Sequence, residues 1–130
     1  MKRTMLLLVG LAAAVSMSRV PASAHHSFAA TYDEEHTQKV EGDLVAFMFR
    51  NPHSFVQLDA KDEKGVVQRW VVEWAGGQAL NNTGVNRDTL KPGDHVLVTG
   101  KPGRNAEDRR LRLVSMERPK DGWKWSGTFE

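Results

Sequence analysis

The run VVQRWVVEWAGGQALNNTG, Val66 to Gly84, constrains the fold more than any other part of the chain. Its first half sets β-branched and aromatic residues in alternation, the pattern of a strand with one buried face. Trp70, Val72 and Trp74 share that face, because side chains two apart on a strand point the same way. Gly76-Gly77 then break the strand. The following QALNNTG (78–84) reads as a short helix closed by Gly84 at the C′ position, where a left-handed residue is needed. Any fold must therefore place this helix directly after a hydrophobic strand.

The flanking segments are strands. Lys39 to Phe49 alternates, with Val40, Leu44, Ala46 and Met48 on one face together with Gly42. A glycine inside so long a strand marks a bulge or a barrel corner. RNPHS (50–54) interrupts the pattern, since Pro52 drives Asn51 out of the helical region. Phe55 to Ala60 is a second strand, and KDEKG (61–65) is a hairpin turn leading into the third. Beyond the helix, LKPGD (90–94) has type II turn chemistry. His95 to Gly100 is a fourth strand with Val96 and Val98 inward. KPGRNAED (101–108) is a loop, and Arg109 to Met116 is a fifth strand with Leu111 and Leu113 inward. Strands one to three, a short helix, then strands four and five is the order of an OB-fold. An SH3-like barrel is the nearest competitor, but it would lack the helix. The expected fold is all-β, a small five-stranded OB-like barrel with one short helix between strands 3 and 4.

The start of the chain reads as an export leader. Lys2-Arg3 precedes the apolar run Met5 to Val15, and Ala22-Ser23-Ala24 has the small residues a signal peptidase requires. The apolar run has 11 residues, short of the roughly 20 that span a bilayer. Residues 1–24 are thus expected to be a signal peptide, 25–37 an N-terminal extension, 38–117 the barrel and 118–130 an aromatic tail. A periplasmic protein that does not span the membrane follows. Loss of Lys2, Arg3 and Arg19 with the leader leaves 15 of the 18 basic residues against all 16 acidic ones, a net charge of −1. A nucleic-acid binder usually carries a basic excess, so that class is excluded as the expectation. With no cysteine, the chain has no disulfide framework and depends on its core.

Several stretches together resemble a family of small exported bacterial proteins catalogued as a domain of unknown function. They are AHHSFAATYD (24–33), NPH (51–53), WVVEW (70–74) and RDTLKPGDHVLVTGKPGRN (87–105), the last with its LKPGD-x-V-x-V-x-G core. The resemblance covers nearly all of the chain after residue 24. GGQALNN stands where the family often has a proline and an arginine. The resemblance implies export and a compact β-barrel, and it implies no established activity.

The histidines are the main chemical candidates. Cleavage after Ala24 gives His25 a free α-amine, and that amine chelates a metal together with the residue's own ring. A third nitrogen completes a T-shaped copper site of the histidine-brace type, and imidazole-rich sites of low coordination suit copper. His53 is the best-placed third ligand, because it stands at a turn opening a strand. His26 binds in another mode, through the amine, the intervening amide and its ring. The plain alternative is an ordinary polar terminus for His25 and His26 and turn chemistry for His53. His36 and His95 read as surface residues.

Trp70, Trp74, Trp123 and Trp125 offer aromatic faces to a ligand or partner, although in so small a barrel packing is the simpler use. Arg104, Arg109, Arg110 and Arg112 cluster near strand five, with Glu107 and Asp108 interleaved as on a solvated face. Catalytic constellations are missing from the sequence. Ser27, Ser54, Ser115 and Ser126 lack a G-x-S-x-G context, Gly76-Gly77 opens no G-x-G-x-x-G, and Glu73 has no evident acid–base partner. The leading expectation is a non-catalytic binding or accessory module for a periplasmic protein or small ligand, without a required cofactor. Its rival is a copper-binding protein using His25, His53 and His26.

Overall fold

A computed structural model describes residues 27–130. It contains a four-residue helix α1 (Phe28–Thr31), strands β1 (Gln38–Met48), β2 (His53–Lys61) and β3 (Val67–Ala75), helix α2 (Gly77–Asn82), and strands β4 (His95–Pro102), β5 (Arg110–Arg118) and β6 (Trp123–Ser126). The sheet runs β3-β2-β1-β4-β5-β6, and a parallel β3–β5 pairing closes the first five strands into a barrel. The expected OB-like barrel, with its helix between strands 3 and 4, is the one observed. Among the described residues no helix is long and apolar enough to cross a membrane.

β1 serves two partners. Gln38 to Asp43 pair with β4, and Asp43 to Met48 pair with β2. Gly42 stands at the changeover, where a Cβ would lie 2.3 Å from the Asp59 carbonyl oxygen. The bulge itself falls later, between Leu44 and Ala46. One extra residue there inverts the side-chain phase for the rest of the strand. Phe47 and Phe49 therefore pack against the core, where the unbroken alternation had placed Ala46 and Met48. The LKPGD turn meets β1 just before the bulge. Gly93, at φ +89°, donates its amide to the Leu44 carbonyl at 2.7 Å, and the Leu44 amide donates to the Asp94 carbonyl at 2.8 Å.

α2 plugs the barrel with Leu80, and its end is a Schellman motif. The Val85 amide donates to the Leu80 carbonyl and the Gly84 amide to the Asn81 carbonyl, with Gly84 at φ +81°. Leu80 and Val85 are both buried. The interior is Val56, Leu58, Val72, Trp74, Val96, Val98, Leu111, Leu113 and Met116. The tail adds a sixth strand, which sequence patterning had not separated from a loose end. β6 pairs with β5 from Trp123 to Ser126. Trp125 and Trp123 meet Trp74 edge-on, with ring centroids 5.0 and 6.5 Å apart.

Candidate functional site

His53 is the first residue of β2, opposite Ala75 of β3, and the loop before it is clamped. The buried Ser54 hydroxyl accepts from the Arg50 amide and donates to the Arg50 carbonyl, both at 3.2 Å. The Gly77 amide donates to the Arg50 carbonyl at 3.0 Å, and the Asn51 side chain accepts from the Gln78 amide. Gly76 and Gly77 allow this closeness. A Cβ at Gly76 would lie 2.3 Å from the Pro52 carbonyl oxygen, and one at Gly77 would lie 2.8 Å from the Phe49 ring. The Gly-Gly break thus ends a strand, starts a helix and holds the loop that carries His53.

Glu73 sits opposite Phe55, so it is the diagonal neighbour of His53 on the outer face of the β2–β3 pair. An outward carboxylate is ordinarily solvated, yet Glu73 is only 8% exposed. Its two oxygens have different partners. Oε1 accepts from His53 Nδ1 at 2.6 Å. Oε2 accepts from the Tyr32 hydroxyl and has Arg110 Nη2 at 3.6 Å. Arg110 Nε also donates to the Tyr32 oxygen at 3.3 Å, and its guanidinium lies over the Tyr32 ring. Burial, then the hydrogen bond to and charge of Glu73, push the Tyr32 hydroxyl well above its ordinary pKa. Tyr32 is therefore a fixed donor at neutral pH. An ionised carboxylate only accepts hydrogen bonds, so a neutral His53 carries its proton on Nδ1 and its lone pair on Nε2. The His53 side chain keeps 19% of its exposure.

The cover over Glu73 is the segment that follows the expected leader. Residues 28–34 cross the outer face as a strap. Tyr32 bridges to Gly103, the Asp33 amide donates to the Pro102 carbonyl, and Arg104 holds the Thr31 and Ala29 carbonyls. Phe28 stacks on the His53 ring with centroids 5.5 Å apart and planes 24° apart. From the other end of the chain, Phe129 meets Phe28 at 5.5 Å and His53 at 5.9 Å, edge-on to both. The Arg112 guanidinium lies 4.7 Å from the Phe28 ring centroid and binds Glu34. Strap, tail and barrel meet at one imidazole.

Of the metal candidates, His53 stands at the centre of this cluster, while His25 and His26 lie outside the described residues. Among the described residues no three His, Cys, Asp or Glu side chains are grouped to hold a metal ion. His95 is half exposed, with Nδ1 on Asp43 at 2.7 Å and Nε2 on Glu41 at 2.8 Å. His36 is exposed and bonded to Asp33. Trp74 is completely buried and has no surface for a ligand, and Trp70, Trp123 and Trp125 are partly buried against the core. Arg110 and Arg112 face the strap, where they bind Tyr32, Glu73 and Glu34.

Sequence reading missed Tyr32, Phe28, Phe129 and the partners of Glu73. The one available signal was Glu73 itself, a carboxylate between two tryptophans. Its partners come from positions 20, 37 and 41 residues away, and no spacing rule connects them.

The chain matches no curated protein. A family model matches residues 13–112, from the expected leader to Arg112 in β5. The chain belongs to the family of unknown function DUF6152.

Proposed function

We propose that this protein is an exported, non-catalytic binding module whose ligand is a copper ion, held by the amine and ring of His25 and by Nε2 of His53. The observation that carries this reading is the stacking of Phe28 on a His53 ring whose Nδ1 is engaged by Glu73. Phe28 lies three positions after His25, a reach of about 10 Å at full extension, so a terminus beginning at His25 has the length to return to His53. The donor set supports copper, since amine and imidazole nitrogens at low coordination number favour it over zinc or hard cations. A carboxylate behind a ligating histidine is the usual outer-shell arrangement of metal sites. His26 extends the reading, as a second ring adjacent to the chelating terminus.

The test uses protein exported and processed to begin at His25. Loaded with one equivalent of Cu(II), it is expected to give an electron paramagnetic resonance spectrum with superhyperfine structure from three nitrogens. An added N-terminal methionine should weaken binding, because it displaces the amine from the His25 ring. His53→Ala should remove one nitrogen from the pattern. A spectrum unchanged by His53→Ala reduces the site to a peptide-like chelate and defeats the proposal.

A further inference from the structure

We infer that the cavity between the RNPHS loop and α2 binds a small oxyanion, a carboxylate or phosphate group held by Arg50 and Arg87, independently of any copper. The cavity has a volume of about 320 Å³, at the lower end of the range for small-ligand pockets. Both arginines line it, together with the amide side chains of Asn51, Gln78 and Asn81. Among the described residues no Asp or Glu lines it. Asp88, next to Arg87 in the chain, has Lys91 Nζ at 2.7 Å. Arg69, Arg110, Arg112 and Arg118 each have a carboxylate partner, whereas among the described residues Arg50 and Arg87 have none. Of the remaining arginines, Arg104 donates to the Ala29 carbonyl and Arg109 turns the chain into β5 at φ +43°. Arg50 and Arg87 are seated on rings instead. The Arg50 guanidinium lies 5.0 Å from the Phe55 centroid, and that of Arg87 lies 5.8 Å from the Phe49 centroid. Stacking restrains each side chain and leaves its N–H edge for an anion. Both residues are exposed, so an anion reaches them from solvent. The backbone amides of Gly77 and Gln78 are already taken, by the Arg50 carbonyl and by Asn51 Oδ1. The donors that remain are side chains. With its Oδ1 engaged, Asn51 offers its amide nitrogen. Two guanidinium forks and neighbouring amide donors suit the geometry of a carboxylate or phosphate.

The test titrates the copper-free protein with inorganic phosphate and, separately, with succinate at constant ionic strength. Nitrogen-15 NMR of the arginine Nε and side-chain amide groups follows binding. Saturable shifts are expected at Arg50, Arg87 and Asn51, and none at Arg69, whose guanidinium is held by Asp59. Saturation by phosphate alone assigns a phosphoryl ligand, and by succinate alone a carboxylate ligand. Saturation by both leaves an oxyanion site that accepts either, and saturation by neither overturns the inference. Arg87→Gln is expected to weaken binding about tenfold or more, because it removes a charged hydrogen-bond donor. Arg69→Gln should leave binding within about twofold of wild type, since an exposed charge elsewhere acts only through screened attraction. Shifts that rise linearly with concentration, or that appear equally at Arg69, mean general screening of surface charge and overturn the inference. Undiminished binding in Arg87→Gln, or equal losses in the two variants, overturns it as well.

Discussion

Asp94 lies in the turn before β4 and Glu73 near the end of β3, and each is a carboxylate almost removed from water, at 5% and 8% exposure. Asp94 is surrounded by donors that end in the protein. Lys120 Nζ reaches Oδ1 at 2.8 Å, Arg118 Nη1 reaches Oδ2 at 2.8 Å, and the Lys91 amide reaches Oδ2 at 3.0 Å. Arg118 continues to Asp121 and to the Thr89 carbonyl. Burial opposes ionisation of Asp94, but these hydrogen bonds and the Arg118 charge outweigh it and hold its pKa down to about 2. Such a network ties the turn before β4 to the end of β5 and the turn that follows it. Glu73 instead has a histidine on one oxygen, and a histidine has a second nitrogen. Burial of a carboxylate is thus common to both; what differs is that the histidine partner of Glu73 keeps a second ring nitrogen.

The two carboxylates are expected to differ most in their contribution to stability. Asp94→Ala leaves Arg118 half-compensated and is expected to cost about 3 kcal/mol in urea unfolding. Glu73→Gln, which retains a hydrogen-bonding side chain, is expected to cost about 1 kcal/mol. Equal costs would mean that both carboxylates are structural. Acid unfolding sharpens the same contrast. The folded pKa of Asp94 is below its ordinary value of 3.8, so its contribution is complete above that value and is lost as the pH falls toward 2. That contribution is about 2 kcal/mol, and Asp94→Asn should flatten this part of the stability–pH curve.

Smaller effects test the scaffold of His53. Gly76→Ala forces a Cβ against the Pro52 carbonyl, and we expect a loss of about 1–2 kcal/mol together with a chemical-shift change at the His53 ring. A shift without destabilisation, or the reverse, would separate loop geometry from packing. His95 supplies the smallest effect and a counter-example among the histidines. Hydrogen bonds donated by its ring to Glu41 and then to Asp43 raise its pKa. The pairs therefore act below the ordinary histidine value and are lost as the pH rises through the raised one. Because the ring is half exposed, His95→Gln should cost less than about 1 kcal/mol at pH 6, and less still in high salt.

Much of the barrel was legible in the sequence because strands and turns are local. The alternation of Val96 and Val98, the Pro92-Gly93 turn and the Gly84 helix stop each follow from backbone conformation within a few residues. Two features escaped. The bulge after Leu44 lies where the LKPGD turn, distant in sequence, bonds to both backbone groups of Leu44, and nothing local to the strand separates Phe47 and Phe49 from Ala46 and Met48. β6 was hidden because four residues pairing with β5 and packing on Trp74 carry too short a pattern to read alone. At the candidate site His53 was visible as a turn residue at a strand start, but its surroundings were not.

By itself the sequence determined the order of strands, the position of the plug helix and the placement of a histidine at the head of the second strand, since each rests on φ/ψ preference and side-chain period. Only the tertiary structure decided what that histidine meets. Closing β3 on β5 brings Arg110 and Arg112 beside Glu73, and the strap adds Phe28 and Tyr32. These contacts join residues 20 to 78 positions apart. They exist because the closed barrel offers one outer face where the two ends of the described chain meet, Phe28 against Phe129.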